Sequence, residues 1–96
     1  MIWITYPLLW SQTVVDKIWV KHKVSPEEVD EAVFGDKPFC RKCGADSYLL
    51  LGRAVNGRYL FIVLKKKSKE GGFKVITARE MGLKEKRYYR KETKKC

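Results

Sequence analysis

Hydrophobic and polar positions change their period several times along this chain, and each change marks an element. Residues Ile2 to Tyr6 (IWITY) are β-favouring and predict an edge strand that Pro7 closes. From Ser11, a residue suited to capping, Val14, Val15, Ile18 and Trp19 recur at helical spacing, while Lys17 and Lys21 lie off that stripe. The next helix carries the clearest local signal. Ser25 at the N-cap, Pro26 at the first helical position and Glu28 three residues on form a capping box, Val29, Ala32 and Val33 make the buried face, and Gly35 ends the helix. The turn-rich stretch GDKPFCRKCGAD, residues 35–46, predicts a loop.

Beyond it the period shortens to two. SYLLLGRAVNGRYLFIVLKKK, residues 47–67, contains two β-rich runs joined around Asn56-Gly57, a strong hairpin signal. A second loop over residues 65–72 leads to a strand in which Phe73, Val75 and Thr77 alternate with Lys74, Ile76 and Ala78. The last helix starts near Gly82 or Leu83. The expected order is β-α-α-β-β-β-α, an α+β fold with an antiparallel sheet packed against helices. With 96 residues and no repeat or long linker, the whole chain, 1–96, is expected to form a single domain around one core.

Charge divides the chain. Residues 1–48 carry six basic and seven acidic groups, whereas residues 49–96 carry fifteen basic and four acidic ones. The segment Lys84 to Lys95 has seven cations against Glu85 and Glu92, half of the net +10. Such self-repulsion points to a polyanionic partner, nucleic acid before an acidic protein; no apolar face accompanies it to insert into a membrane. The first fifteen residues are uncharged, but they lack a basic leader and a small-residue cleavage site, Pro7 interrupts them, and a span needs about 20 apolar residues. A cytoplasmic protein is expected. Three cysteines, two of them in Cys40-x-x-Cys43, do not make a secreted disulfide framework.

Several separated features resemble one family. Trp10, then His22 in KHKVSPEEVDEAVF, LGR at Leu51 to Arg53, GRYLFIV at Gly57 to Val63, VITARE at Val75 to Glu80 and KEKRYYR at Lys84 to Arg90 look like the BrnT toxins, in the right order and across nearly the whole chain. The resemblance implies a RelE-like fold and a growth-inhibiting RNA endonuclease of a type II toxin–antitoxin module, with a cognate antitoxin, a BrnA-like DNA-binding protein. Metal independence and no cofactor are expected on other grounds, since the sequence offers no carboxylate-rich cluster for magnesium and no complete zinc set. By position the resemblance carries over Arg53, Arg79, Glu85 and Tyr89 as catalytic, with Lys84, Lys86, Arg87 and Arg90 expected to bind RNA. Lys23 stands where the family commonly has Gly. A second reading keeps the fold without cleavage: a basic module that binds nucleic acid or a partner.

Metal-free RNA cleavage uses the substrate's own 2′-hydroxyl as nucleophile, so a site needs cations on the phosphate and a group to move protons. Arg53 and Arg79 end strands, and an Arg fork grips two phosphate oxygens. Glu85 and Tyr89, four apart, share a helix face that can turn back over those strand ends. Each has a structural alternative. Arg79 can tie the last helix down through Glu80 or Glu85, and Arg53 can be merely solvated. Tyr88 and Tyr89 are adjacent and point in different directions on a helix, so one is expected to pack and the other to be exposed, and the resemblance implies that Tyr89 is the exposed one. His22 lies near the end of the first helix, where a helix-terminal role stands ahead of catalysis. The two close cysteines supply half of a closed zinc site, with only Cys96 and distant His22 besides, so no metal is expected. Lys65, Lys66 and Lys67 read as a solvated strand end.

Overall fold

The computed structural model describes residues 8–35, 38–66 and 72–93. In chain order the elements are β1 (Leu8–Leu9), α1 (Gln12–His22), α2 (Pro26–Phe34), β2 (Phe39–Lys42), β3 (Ser47–Arg53), β4 (Tyr59–Lys66), β5 (Phe73–Glu80) and α3 (Leu83–Thr93). The strands form one sheet in the order β1-β5-β4-β3-β2. The α+β class, the two early helices, the hairpin and the terminal helix follow the sequence reading. Two corrections are needed. The residues expected to be loop contain β2, paired antiparallel with β3 from Phe39–Leu51 to Lys42–Tyr48, and β1 pairs parallel with β5, so the sheet is mixed. The expected strand at Ile2 to Tyr6, Lys67 and the tail from Lys94 to Cys96 lie outside the described residues.

Local chemistry accounts for the element boundaries. Ser11 Oγ accepts from the Val14 N–H at 3.3 Å and starts α1. Ser25 and Glu28 form the reciprocal capping box, with Pro26 just inside α2. Ala54 and Arg58 close the hairpin: the Ala54 N–H donates to Arg58 O, and the Gly57 N–H to Ala54 O, both at 2.9 Å. Gly57 takes φ 92° there, which an L side chain rarely adopts.

Two layers pack on opposite faces of the sheet. Against α1 and α2 lie Leu50, Leu60, Ile62, Leu64, Val75 and Ala78, with Ile18, Val29 and Ala32 from the helices. Leu60, Ile62 and Leu64 are fully buried, each worth roughly 1.5–3 kcal/mol against an exposed side chain. The α1 stripe narrows in practice: Ile18 is buried while Trp19 is 52% exposed under the Lys23 ammonium. Gly52 lets α2 approach β3 closely, since a Cβ there would stand 2.5 Å from Ala32 O. On the other face, Leu51, Met81 and Tyr89 form a smaller cluster with Phe39, Leu49, Tyr59, Phe61 and Tyr88.

The alternation expected in β5 fails halfway. The pairing with β4 shifts between Val63 and Leu64, which face Thr77 and Val75, leaving Ile76 as an extra residue. Its carbonyl accepts from Lys17 Nζ at 3.2 Å. Because of this bulge Ala78 is buried rather than Thr77, and Thr77 and Arg79 turn to the face that carries α3.

Candidate nucleic-acid interface

The α3 face of the sheet brings together side chains that are far apart in sequence. Arg53 and Tyr59 are directly paired neighbours on β3 and β4, and α3 returns over them. The Tyr59 ring has three cations around it: Arg90 at 5.5 Å, Arg53 at 5.7 Å and Lys86 at 5.7 Å from its centroid. Tyr89 meets the same ring edge-on at 5.9 Å. None of the three cations has a carboxylate partner among the described residues. Arg53 and Arg90 line an open cleft of about 470 Å³ together with Glu31, Tyr59, Tyr89 and Thr93 among others, while Lys86 is placed by its contact with the Tyr59 ring. The aromatic ring gathers the guanidinium groups without neutralising them, so their charge remains available to an anion.

Arg79 lies one sheet position away, its guanidinium 4.0 Å from the Phe61 ring centroid. Its fork is engaged by Glu85, with Nη1 to Oε1 at 2.9 Å and Nη2 to Oε2 at 2.7 Å, and Nη1 also donates to Glu80 O. Glu85 Oε1 accepts the Gly82 N–H at 2.7 Å, which closes the first turn of α3. The Arg79 hydrogen bond holds the Glu85 carboxyl below its ordinary range, against burial that acts the other way. The pair raises the Arg79 pKa in turn. Both groups are thereby committed to each other and to the helix start.

Of the other residues singled out from the sequence, Lys84 and Arg87 are exposed on α3, away from Tyr59. The expectation for the adjacent tyrosines is corrected: Tyr89 is only 6% exposed, because its position on α3 faces Leu51, Met81 and Tyr59. Tyr88 is half-buried, edge-on to Phe39, and its hydroxyl accepts from Arg41 Nη1 at 3.4 Å. His22 ends α1 on the opposite face of the sheet, where its carbonyl accepts from Arg58 Nη2. Cys40 and Cys43 are free thiols, and burial pushes the Cys40 pKa up. Among the described residues no three His, Cys, Asp or Glu side chains are grouped to hold a metal ion.

Three residues escaped sequence reasoning. Tyr59 is the hub of the cationic cluster, and only its place in GRYLFIV set it apart. Glu31 sits in the cleft but reads in sequence as one more charge on the outer face of α2. Arg58 reads as a turn residue, yet it joins Glu28 at 2.9 Å, Glu80 at 2.7 Å and the carbonyls of His22 and Lys23, tying α1, α2 and β5 to the hairpin.

No family model and no curated protein matches the chain. Its structure is similar to the 1.1 Å crystal structure of BrnT, a ribonuclease toxin of Brucella abortus, with a TM-score of 0.67 over 81% of this chain and 99% of that one. The two share 15% sequence identity, so the likeness is one of fold: this chain has the BrnT-like α+β architecture.

Proposed function

We propose that the chain is the toxin of a type II toxin–antitoxin module, an RNA endonuclease that works without metal in the cytoplasm and is silenced by a BrnA-like DNA-binding antitoxin. The observation that carries this reading is the cluster of Arg53, Lys86 and Arg90 around Tyr59, three cations without carboxylate partners among the described residues, two of which, Arg53 and Arg90, line a cleft. Bent single-stranded RNA would lay its phosphate against Arg53 and Arg90, with an adjacent base against exposed apolar rim atoms. The 2′-hydroxyl then attacks that phosphate, and the cations offset the charge that develops on its oxygens. Tyr89 shapes the floor of the cleft. Arg79 and Glu85 hold α3 at the angle that brings Lys86 and Arg90 over Tyr59, and the exposed Lys84 and Arg87 add charge along the RNA path.

Single-stranded RNA incubated with the purified protein should be cut in the presence of EDTA. Arg53→Ala and Arg90→Ala should each slow cutting on the order of 10²-fold. Activity lost in EDTA and restored by a divalent ion would overturn the metal-free mechanism. The second reading, a binding module without cleavage, draws support from the Arg79–Glu85 pair, which removes two carried-over catalytic groups from direct action. RNA bound but left intact by the unmodified protein would establish it.

A further inference from the structure

The proposed reaction needs an acceptor for the 2′-hydroxyl proton, and the cationic side chains around Tyr59 cannot serve. A guanidinium or ammonium is already protonated. Glu85, the carboxylate that the resemblance carries over, has both oxygens occupied by Arg79 and Gly82. One other carboxylate reaches the cleft. Glu31, on the second turn of α2, lines it together with Arg53, Tyr59 and Arg90. Its Oε1 accepts the Val55 N–H at 3.2 Å, which fixes the carboxylate against the hairpin turn. Its Oε2 has no hydrogen-bond partner among the described residues. A half-buried carboxylate, oriented through one oxygen and open at the other, within a site otherwise built to attract phosphate, would repel the ligand unless it did something for it.

We propose that Glu31 is the general base of RNA cleavage at this cleft, an assignment that rests on the endonuclease reading. Glu31 Oε2 takes the proton of the 2′-hydroxyl as the 2′ oxygen forms its bond to the adjacent phosphorus. The bond from phosphorus to the 5′ oxygen breaks, and its electron pair leaves with that oxygen, which takes a proton from water. The products are a 2′,3′-cyclic phosphate and a 5′-hydroxyl end, and Glu31 returns its proton to solvent. Arg53 and Arg90 neutralise the phosphate oxygens meanwhile. The Val55 contact restrains the carboxylate so that it does not collapse onto Arg53 or Arg90.

The test separates the chemical role of Glu31 from its structural one. Glu31→Gln keeps an oxygen for the Val55 N–H and removes the base. It should bind single-stranded RNA at least as well as the unmodified protein and cut it about 10²- to 10⁴-fold more slowly. Val55→Pro deletes the N–H at the first inner position of the turn, where proline is favoured, and keeps the Glu31 side chain. With that restraint gone it should cut less than about tenfold more slowly, well short of the loss in Glu31→Gln. Glu31→Ala, with space opened beside Arg53, should recover part of its rate when formate is added, an effect that a structural loss would not show. Undiminished cutting by Glu31→Gln overturns the assignment. So does an equal loss in Val55→Pro, because the turn contact would then be what matters. If the unmodified protein binds RNA and never cuts it, the endonuclease reading itself fails, and Glu31 with it.

Discussion

Lys23 ends α1 in a left-handed backbone conformation, φ 54° and ψ 39°, the one non-glycine residue at positive φ among those described. A side chain at such a position is strained by roughly 1–2 kcal/mol, whereas glycine is not. The strain is offset locally: the Lys23 N–H reaches Trp19 O at 3.0 Å, and Lys23 O accepts from Arg58 Nη1 at 2.8 Å. Glycine would take this left-handed helix cap without that cost. Chemical denaturation of two variants isolates the backbone effect. Lys23→Ala and Lys23→Gly both lose the ammonium contact with Trp19, but the glycine variant should be the more stable by about 0.5–1 kcal/mol, after allowing for its freer unfolded chain. Equal stability would mean that the cap is not strained.

At the scale of elements, α3 is held by a paired fork rather than by a large apolar face, because Tyr89 is the one buried residue it contributes. That anchor depends on pH. The Arg79 hydrogen bond lowers the folded-state pKa of Glu85, so its stabilisation is complete above the ordinary value of 4.5 and is lost as pH falls through the lower folded value. Helix content followed by circular dichroism should decline on acidification below pH 4.5 in the unmodified protein, and more shallowly in Glu85→Gln. Residual dependence is expected from Glu28: burial raises its pKa, but hydrogen bonds from Asn56, the Ser25 backbone and Arg58 together lower it. Since Arg79 and Glu85 are 38% and 26% exposed, Arg79→Ala should cost only about 1 kcal/mol after solvent screening. An identical acid profile in Glu85→Gln would remove the fork from this role. The elements differ in how far sequence reveals them, for a reason visible in these cases. The Ser25–Glu28 box and the Asn56-Gly57 turn are written within a few residues, and both read correctly. Strand β2 has four residues of mixed polarity whose hydrogen bonds lie on β3, and the β5 bulge depends on pairing with β4 and on Lys17 from α1. Neither has a local signature.

For the whole molecule, the sequence shows which half is basic but not where its charge is concentrated. The bulge at Ile76 turns Arg79 to the α3 face, and α3 brings Lys86 and Arg90 onto Tyr59, while most other cations remain dispersed. The candidate site was legible as a list of cations and obscure as a place, because its centre, Tyr59, and its one open carboxylate, Glu31, matter only after four elements have met. This concentration makes a prediction about salt. Each phosphate neutralised on a single strand releases counterion, and the log of the binding constant falls with the log of salt by about 0.7 per contact. If Arg53, Lys86 and Arg90 contact phosphate, replacing all three with glutamine should reduce the magnitude of that slope by about 2. Replacing the exposed Lys65 and Lys66 and the half-buried Lys74, at the other end of the sheet, should leave it within about 0.7 of the original. Titrations of a fluorescent single-stranded RNA at four salt concentrations measure both. A charge field spread over the whole basic half predicts instead that the two triple variants lose equally, since each removes three of the same charges from the same net +10. Equal losses would therefore dissolve the cleft as a distinct phosphate site. An unequal loss centred on Tyr59 would place the RNA backbone on the α3 face, within reach of Glu31.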